Sequence, residues 1–520
     1  MKMTWGDVSA KSARASARLS TRRLPGRLVL AMLASLLAGC AVGPDFSKPA
    51  APEVGDYTVH PLAATAGSTN IVGGEVQRFN RGGDIPADWW TLFHSSELNA
   101  LIEQSLASNP DLKAAQAALS VARENVLAGR GANYPAVAAG MSASRRQDPP
   151  GALAPVPSNN AFLYNLFTPQ VSVSYVPDVF GLNRRGVESL QAQEQAVRFQ
   201  TIATRLTLTA NVVVAAIQQA SLQAQVEATR RMIEADTRML EILRYQSARG
   251  YAGRLDVAAQ ESQLAQVAAT LPPLLKQLAQ QHDLLAALAG QFPSQLPDGE
   301  FTLSSLHLPQ DLPLSLPSTL VAQRPDVRQA EAVLHAASAE VGVAMANRLP
   351  NISLSANAGS TALAMGRLFK AGTGFWSLGA NLAAPVFQGG TLRHQEHAAR
   401  AAYMEAAAQY RSTVLTAFQN VADTLAALEQ DAAGLTTAAS AADAAKVTLD
   451  LSRRQWKDGY AGYLSVLSAE QAYQQAQVNL VQARANRYVD TAALYQALGG
   501  GWWHRADTAH AVSTRDADEK

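Results

Sequence analysis

The sequence is poor in several things at once. It has one cysteine in 520 residues, 6% aromatic residues and 16% charged ones. A lone cysteine excludes an internal disulfide framework and any multi-thiolate zinc or iron–sulfur site. Its 43 basic and 42 acidic side chains give a net charge of +1, so composition offers no basic footprint for a nucleic acid. Outside the N-terminus no segment approaches 18 consecutive apolar residues, so no helical membrane span is expected. If the chain crosses a membrane, it must do so with strands closed into a barrel. Walker-type phosphate loops and Gly-x-Ser-x-Gly elbows are missing too. His394-Gln395-Glu396-His397 contains metal-ligand residue types but lacks zinc-protease spacing, and reads as a solvated polar turn. No enzyme and no cofactor is expected. What is abundant is alanine, about a fifth of the chain against an ordinary share of roughly a tenth, which suits long, closely packed helices. Length alone would permit roughly two to four domains.

The N-terminus is where the cysteine acquires meaning. Lys2, Lys11, Arg14, Arg18, Arg22, Arg23 and Arg27 precede an apolar run from Leu28 to Leu37, which ends in Leu37-Ala38-Gly39-Cys40. A basic segment, a short apolar segment and small residues form a secretory signal, here 1–39. At 1.5 Å per residue the run spans about 15 Å, half a bilayer's hydrocarbon core. Leu-Ala-Gly-Cys resembles a bacterial lipobox, which makes Cys40 the lipid-attachment residue and the first residue of the mature chain. Ala41, rather than Asp, follows it, which favours outer-membrane over inner-membrane sorting. Several acyl chains at one site give firm anchoring.

The chain is written twice. Asn109-Pro110-Asp111-Leu112 returns as Arg324-Pro325-Asp326-Val327, and Tyr134-Pro135 as Leu349-Pro350, both 215 residues later. Val179-Phe180-Gly181 corresponds to Val386-Phe387-Gln388 at an offset of 207, and Gly250-Tyr251-Ala252-Gly253 recurs identically as Gly459-Tyr460-Ala461-Gly462 at 209. This is too long a period for a solenoid and describes one duplicated, domain-sized module. The division is then 40–90 as an anchored extended segment, 91–299 as the first repeat, 300–318 as a linker, 319–503 as the second repeat and 504–520 as a polar, poorly ordered tail.

Each repeat reads in the same order. A helix comes first, Asp111 to Ala128 and Asp326 to Asn347, with Asn109 as N-cap and Pro110 at the first helical position. Two strands follow. Gln170 to Tyr175, Asn351 to Ala358 and the stretch Trp376 to Leu382 alternate apolar with small polar residues. That alternation suits a membrane barrel strand, and a half-buried sheet in water gives it equally. Asp148 to Asn160 and Gly359 to Gly374 are the connecting loops. From about Arg184 to Arg249 and from about Thr391 to Asp458 there is no proline and almost no glycine. Some 65 residues of helix extend about 100 Å. Each long helix reverses at its GYAG turn into a return helix, Leu255 to Ala289 or Leu464 to Leu498, and Pro272-Pro273 is expected to break or kink the first of these. Four strands cannot close a barrel, for which eight is the small limit, and open edges are forbidden in lipid. If the strands span, several chains must share one barrel.

In this order the residues resemble the TolC-like outer-membrane factors, specifically the lipoprotein (NodT-type) branch serving resistance-nodulation-division efflux pumps. The resemblance rests on Cys40-Ala41-Val42-Gly43-Pro44-Asp45-Phe46, Trp89-Trp90-Thr91-Leu92-Phe93, the stretch from Arg324 to Glu331, and Leu498-Gly499-Gly500-Gly501-Trp502. It implies a mainly α fold with a transmembrane β-barrel portion, four strands per chain. Three copies would form the barrel, with long periplasmic hairpins making an α-barrel and residues 41–90 and about 300–318 lying around its belt. The implied partners are itself as a homotrimer, a periplasmic adapter, a proton-driven inner-membrane pump and outer-membrane lipid. The implied activity is passive efflux of drugs or other small toxic compounds. A channel for type I protein secretion has the same architecture, and a non-conducting lipid-anchored periplasmic scaffold is a further reading.

The resemblance also designates site residues. The adapter is expected at the GYAG turns, with Gly250, Gly253, Gly459 and Gly462 supplying positive φ for the reversal. Pump-linked members close the pore with a Leu ring and, four residues on, an Asp ring. The matching positions are Leu464 and Ser468, so the leucine fits and the aspartate is missing. Asp256, in the first repeat's turn, is either the displaced acid or a helix-start acid favoured by the dipole.

Overall fold

A computed structural model describes residues 41–68, 71–150, 161–297 and 301–505. The signal segment, Cys40 and the tail from 506 onward lie outside the described residues.

Small side chains and the near-absence of helix breakers produce two helices of identical length. The first repeat runs α2 (Pro110–Arg130), β2 (Ala136–Gln147), β3 (Leu163–Tyr175), α3 (Leu182–Ala248) and α4 (Arg254–Leu288). It is preceded by a short strand, β1 (Arg78–Arg81), and by α1 (Ser96–Ser108). The second repeat is led in by β4 (Asp311–Leu314) and α5 (Pro317–Gln323). It then runs α6 (Pro325–Ala346), β5 (Asn351–Ser360), β6 (Gly374–Ala383), α7 (Thr391–Lys457) and α8 (Tyr463–Ala497). Helices α3 and α7 have 67 residues each, and α4 and α8 have 35 each. At 1.5 Å per residue the long pair extends about 100 Å.

Caps explain the entries. Asn109 Oδ1 accepts the N–H groups of Asp111 and Leu112 at 2.9 and 3.1 Å. Its counterpart Arg324 does different work: its guanidinium pairs with Asp326 at 2.6 Å and donates to the Ala497 carbonyl at 2.8 Å, satisfying the C-terminal end of α8. The proline pair does not break α4. Pro272 and Pro273 lie inside it with exposed side chains, so the carbonyls that lose their N–H partners can turn to solvent.

The four long strands form one antiparallel sheet in the order β2-β3-β5-β6. Register sorts the faces cleanly. Val137 pairs with Val173, Val173 lies beside Ala356, and Ala356 pairs with Leu378. One step along, Ala139, Val171, Ala358 and Trp376 form a second apolar row. Between these rows lies a row of Ala138, Ser172, Asn357 and Ser377, on the opposite face. The apolar face is not covered: Val137, Trp376 and Leu378 are 69%, 76% and 75% exposed. A half-buried sheet in water would pack that face against a core.

The main core lies at the chain's waist. Trp89 stacks on Tyr495 with ring centroids 5.2 Å apart, beside Phe93, Tyr488, Val213 and Ile217. β1 pairs in parallel with β4, which ties the segment before the first repeat to the stretch expected as a bare linker. Arg487 is buried there and donates to the Gly73 carbonyl at 2.7 Å and to Gln77 Oε1 at 3.0 Å. One stretch of α3 is long and apolar enough to cross a membrane. Val212, Val213 and Ile217 are fully buried within this core, so its apolarity is that of a core helix.

Candidate functional site

Two ends of the molecule carry the candidate residues: the GYAG turns, and the rim where strands become helices.

The turns are two copies of one helix stop. Gly250 and Gly459 sit at φ +79° and +80°. Tyr251 N–H returns to the Gln246 carbonyl at 2.9 Å and Gly250 N–H to Ser247 at 3.1 Å; Tyr460 to Gln455 at 2.8 Å and Gly459 to Trp456 at 3.1 Å repeat the pattern. This is a Schellman stop, in which an L side chain at the left-handed position is strained. The expectation of positive φ fails for the other two glycines. Gly253 and Gly462 are extended, at φ −75° and −73°, because they serve as the N-caps of α4 and α8. Tyr251 and Tyr460 are left projecting from the tips, strongly exposed.

Leu464 is 53% exposed and Ser468 is exposed on the same face of α8, opposite buried Tyr463, Val466 and Ala469. Asp256 is not their equivalent. Its carboxylate accepts the Gly253 N–H at 3.2 Å, which closes the start of α4. At the repeat offset of 209 its counterpart is Ser465, whose hydroxyl donates to the Gly462 carbonyl at 2.7 Å. The helix-start role is therefore what the geometry displays.

Above the turns lies a polar cluster that no local pattern announced. Asp236 on α3 and Glu470 on α8 are both buried. Arg453 on α7 reaches in to Glu470 at 2.5 Å. Gln260 on α4 donates to the Asp236 backbone carbonyl at 3.0 Å and accepts the Tyr463 hydroxyl. Burial, and then the charge of Glu470, push the Asp236 carboxyl up to about 6, while Gln260 and Arg453 pull it down. Leu243, Leu449, Tyr463, Val466 and Ala469 form the apolar packing around it.

At the rim, the residues that follow Cys40 are clamped. Val42 N–H donates to the Phe180 carbonyl at 3.1 Å, just after the end of β3. Buried Arg185 donates to the Val42 carbonyl at 3.2 Å, to Asp45 at 2.7 Å and to Glu188 at 2.7 Å. Glu188 pairs in turn with His335 at 2.8 Å, and Phe46 stacks on that imidazole with centroids 4.2 Å apart. A Cβ on Gly43 would lie 2.4 Å from Gly342 Cα, so only glycine allows the strap to lie against α6. Cys40 itself is outside the described residues.

Two minor expectations are corrected here. Glu396 is not in a solvated turn; it is buried between Arg348 and Arg400, the latter at 2.8 Å, and the Arg348 hydrogen bond holds its carboxyl below the usual range. Among the described residues no group of three or more His, Cys, Asp or Glu side chains is placed to hold a metal. His504, assigned to the loose tail, bonds Asp84 at 2.5 Å and is the last residue of the short 3-10 turn Trp502–His504.

A sheet with an exposed apolar face and two edges that have no neighbour among the described residues, continuous with paired helices about 100 Å long, defines an outer-membrane channel of the TolC-like fold. Comparison with known proteins gives the family: the sequence profile described as outer membrane efflux protein matches residues 101–291 and 316–500, once per repeat. The chain belongs to that family. It is 30% identical over 493 residues to a probable efflux pump outer membrane protein, TtgC of Pseudomonas putida, covering 93% of this chain and 97% of that one. It is 31% identical over 421 residues to the pyoverdine export outer membrane protein OpmQ of Pseudomonas aeruginosa, covering 80% and 87%. Among solved structures it is similar to the outer-membrane channel OprN (TM-score 0.79, 27% identity, 89% of this chain and 100% of that one). It is also similar to the outer membrane protein VceC of Vibrio cholerae (0.75, 27%, 80% and 100%).

Proposed function

We propose that this protein is the outer-membrane channel of a tripartite efflux pump, and that three copies close one barrel and conduct small toxic compounds passively out of the periplasm. The observation that carries the reading is the sheet. Its apolar face needs lipid, its opposite face is small and polar, and its edges β2 and β6 have no neighbour among the described residues. More than one copy is required, and three supply 12 strands.

The repeat indicates how copies meet. Within the chain, α3 of the first half packs along α6 of the second. Arg185, Ala192 and Ala196 on α3 are buried there, while their counterparts His394, Ala401 and Glu405 on α7 are exposed. On α2, Leu127 is exposed where its counterpart Gly342 on α6 is tightly covered. An α7-to-α2 contact between neighbouring copies would reproduce the α3-to-α6 contact and close the ring.

The remaining assignments follow that arrangement. The GYAG tips, with exposed Tyr251 and Tyr460, receive a periplasmic adapter, which links the channel to a proton-driven pump of the resistance-nodulation-division class. Leu464 forms the apolar constriction beyond the second turn, with Ser468 behind it. Cys40 carries the acyl chains; Ala41 and Val42, docked at the base of the sheet, put that anchor within reach of the inner leaflet. The names of the relatives, which refer to efflux pumps and to pyoverdine export, favour small-molecule efflux over protein secretion. Single-channel recording of the purified protein in planar bilayers tests conduction, and a silent protein overturns the reading. A susceptibility panel on a deletion strain tests efflux and names the compounds.

A further inference from the structure

Four helices meet at one buried polar cluster, and the groups in it do not balance. Asp236 comes from α3, Gln260 from α4, Arg453 from α7, and Tyr463 and Glu470 from α8, so every helix of both hairpins contributes. Two carboxylates face one guanidinium. Glu470 uses Oε1 for Arg453, whereas Glu470 Oε2, Asp236 Oδ2 and Arg453 Nε are buried without a hydrogen-bond partner. With both carboxylates ionised the cluster holds one uncompensated negative charge between the hairpins, in a site where water is scarce. One proton removes it.

We propose that Asp236, Glu470 and Arg453 form a proton-operated latch between the two helical hairpins, holding them together when one carboxyl is protonated and driving them apart when both are charged. The inference rests on the channel reading, in which separating the hairpins near their tips widens the periplasmic entrance. The groups that face Asp236 are Glu470 and Arg453, with Gln260 as a neutral partner; Tyr463 adjoins Glu470, and Asp256 acts on Tyr463 from the start of α4. The raised carboxyl agrees with the geometry. Between its ordinary value of 3.8 and about 6, only the packed arrangement keeps the proton on Asp236. The packed hairpins are therefore most stable in acid, lose stability as pH rises through that window, and change little above it. Acid closes the latch.

The test uses the full-length protein in planar bilayers and records open probability from pH 4.5 to pH 7.5. The wild type is expected to open more as pH rises, by up to about 25-fold across this range, since at pH 4.5 the shift is not yet fully expressed. Asp236→Asn should stay in the low-opening state across the range, and Glu470→Gln should move the midpoint to lower pH by removing the like charge. A second titrating pair provides the control. Asp490 is pushed up to about 7 by burial and then by its hydrogen bond with Asp431, but both residues lie on the α7–α8 hairpin. Asp490→Asn should keep the wild-type profile. An Asp236→Asn channel that retains the wild-type pH profile overturns the latch. Hydrogen exchange of the backbone around Asp236 and Glu470, corrected for intrinsic rates, reads the hairpins without conduction. Slower exchange at pH 5 than at pH 7.5, abolished in Asp236→Asn, supports the latch, and no difference rejects it. A protein that conducts at no pH instead defeats the channel reading, and the exchange result still decides the latch.

Discussion

Arg185 reaches back 140 residues to hold Asp45 at 2.7 Å, so the strap that follows Cys40 is pinned by a side chain of the first long helix. Replacing Arg185 with Met keeps most of the apolar stem and removes the bonds to Val42, Asp45 and Glu188. Hydrogen bonds to charged groups contribute about 1.5–3 kcal/mol each, and Asp45 is solvated, so a net loss near the lower figure is expected. The strap should become sensitive to limited proteolysis while the helical hairpins keep their far-UV circular dichroism. An equally protected strap would show that Phe46 and Gly43 suffice to hold it.

The four turn glycines should separate into two classes. Gly250→Ala and Gly459→Ala place a side chain at positive φ and should cost about 1–2 kcal/mol each. Gly253→Ala and Gly462→Ala sit in extended backbone and should cost a few tenths to about 1 kcal/mol as cap changes. Chemical denaturation of the four single variants checks this. Equal losses at all four positions would contradict the two conformations.

On β6, Leu378 and Ser377 are neighbours on opposite faces of the sheet. Leu378→Arg puts a charge against hydrocarbon and should cost about 2–4 kcal/mol if it lies at the bilayer midplane, lowering the yield of inserted protein. Ser377→Arg should insert normally and change conductance or ion selectivity instead. The reverse pattern would mean that the faces have been assigned the wrong way round.

If Leu464 forms the proposed constriction, Leu464→Arg is expected to leave the channel leaky in the absence of a pump, seen as raised resting conductance and greater uptake of a large antibiotic. Unchanged conductance and uptake would remove Leu464 from the constriction. Asp256→Asn should leave resting conductance alone and cost about 0.5–1 kcal/mol at the start of α4.

Much of the fold is legible in the sequence because its signals are local. The proline-free stretches gave the ends of α3 and α7 to within two residues, and the GYAG turns located both reversals. β3 is only half legible in the sequence, since Leu163 to Pro169 lacks the alternation of its second half, and β2 carries no legible alternation at all. In Ala136–Gln147 the small residues of both faces look alike, so period two is masked; only Val137 and Met141, four apart, marked its apolar face. Pro272-Pro273 misled because proline rules describe an isolated helix, and these two lie on an exposed side where lost hydrogen bonds can go to water. The parallel pairing of β1 with β4 joins residues more than 200 positions apart and leaves no periodic trace.

The sequence by itself determined the duplication, the lengths of the helices, the alternation of the strands and the small-residue surface that lets helices approach. Those depend on nearest neighbours along the chain and on residue size. Only the tertiary structure decided which glycines need positive φ, that Asp256 is a cap, and that Arg185 grips the segment from Val42 to Asp45. It alone brought Asp236 within the field of Glu470, 234 residues away. Charge interactions act through space, and nothing in the local sequence at either residue reports what the other helix will bring.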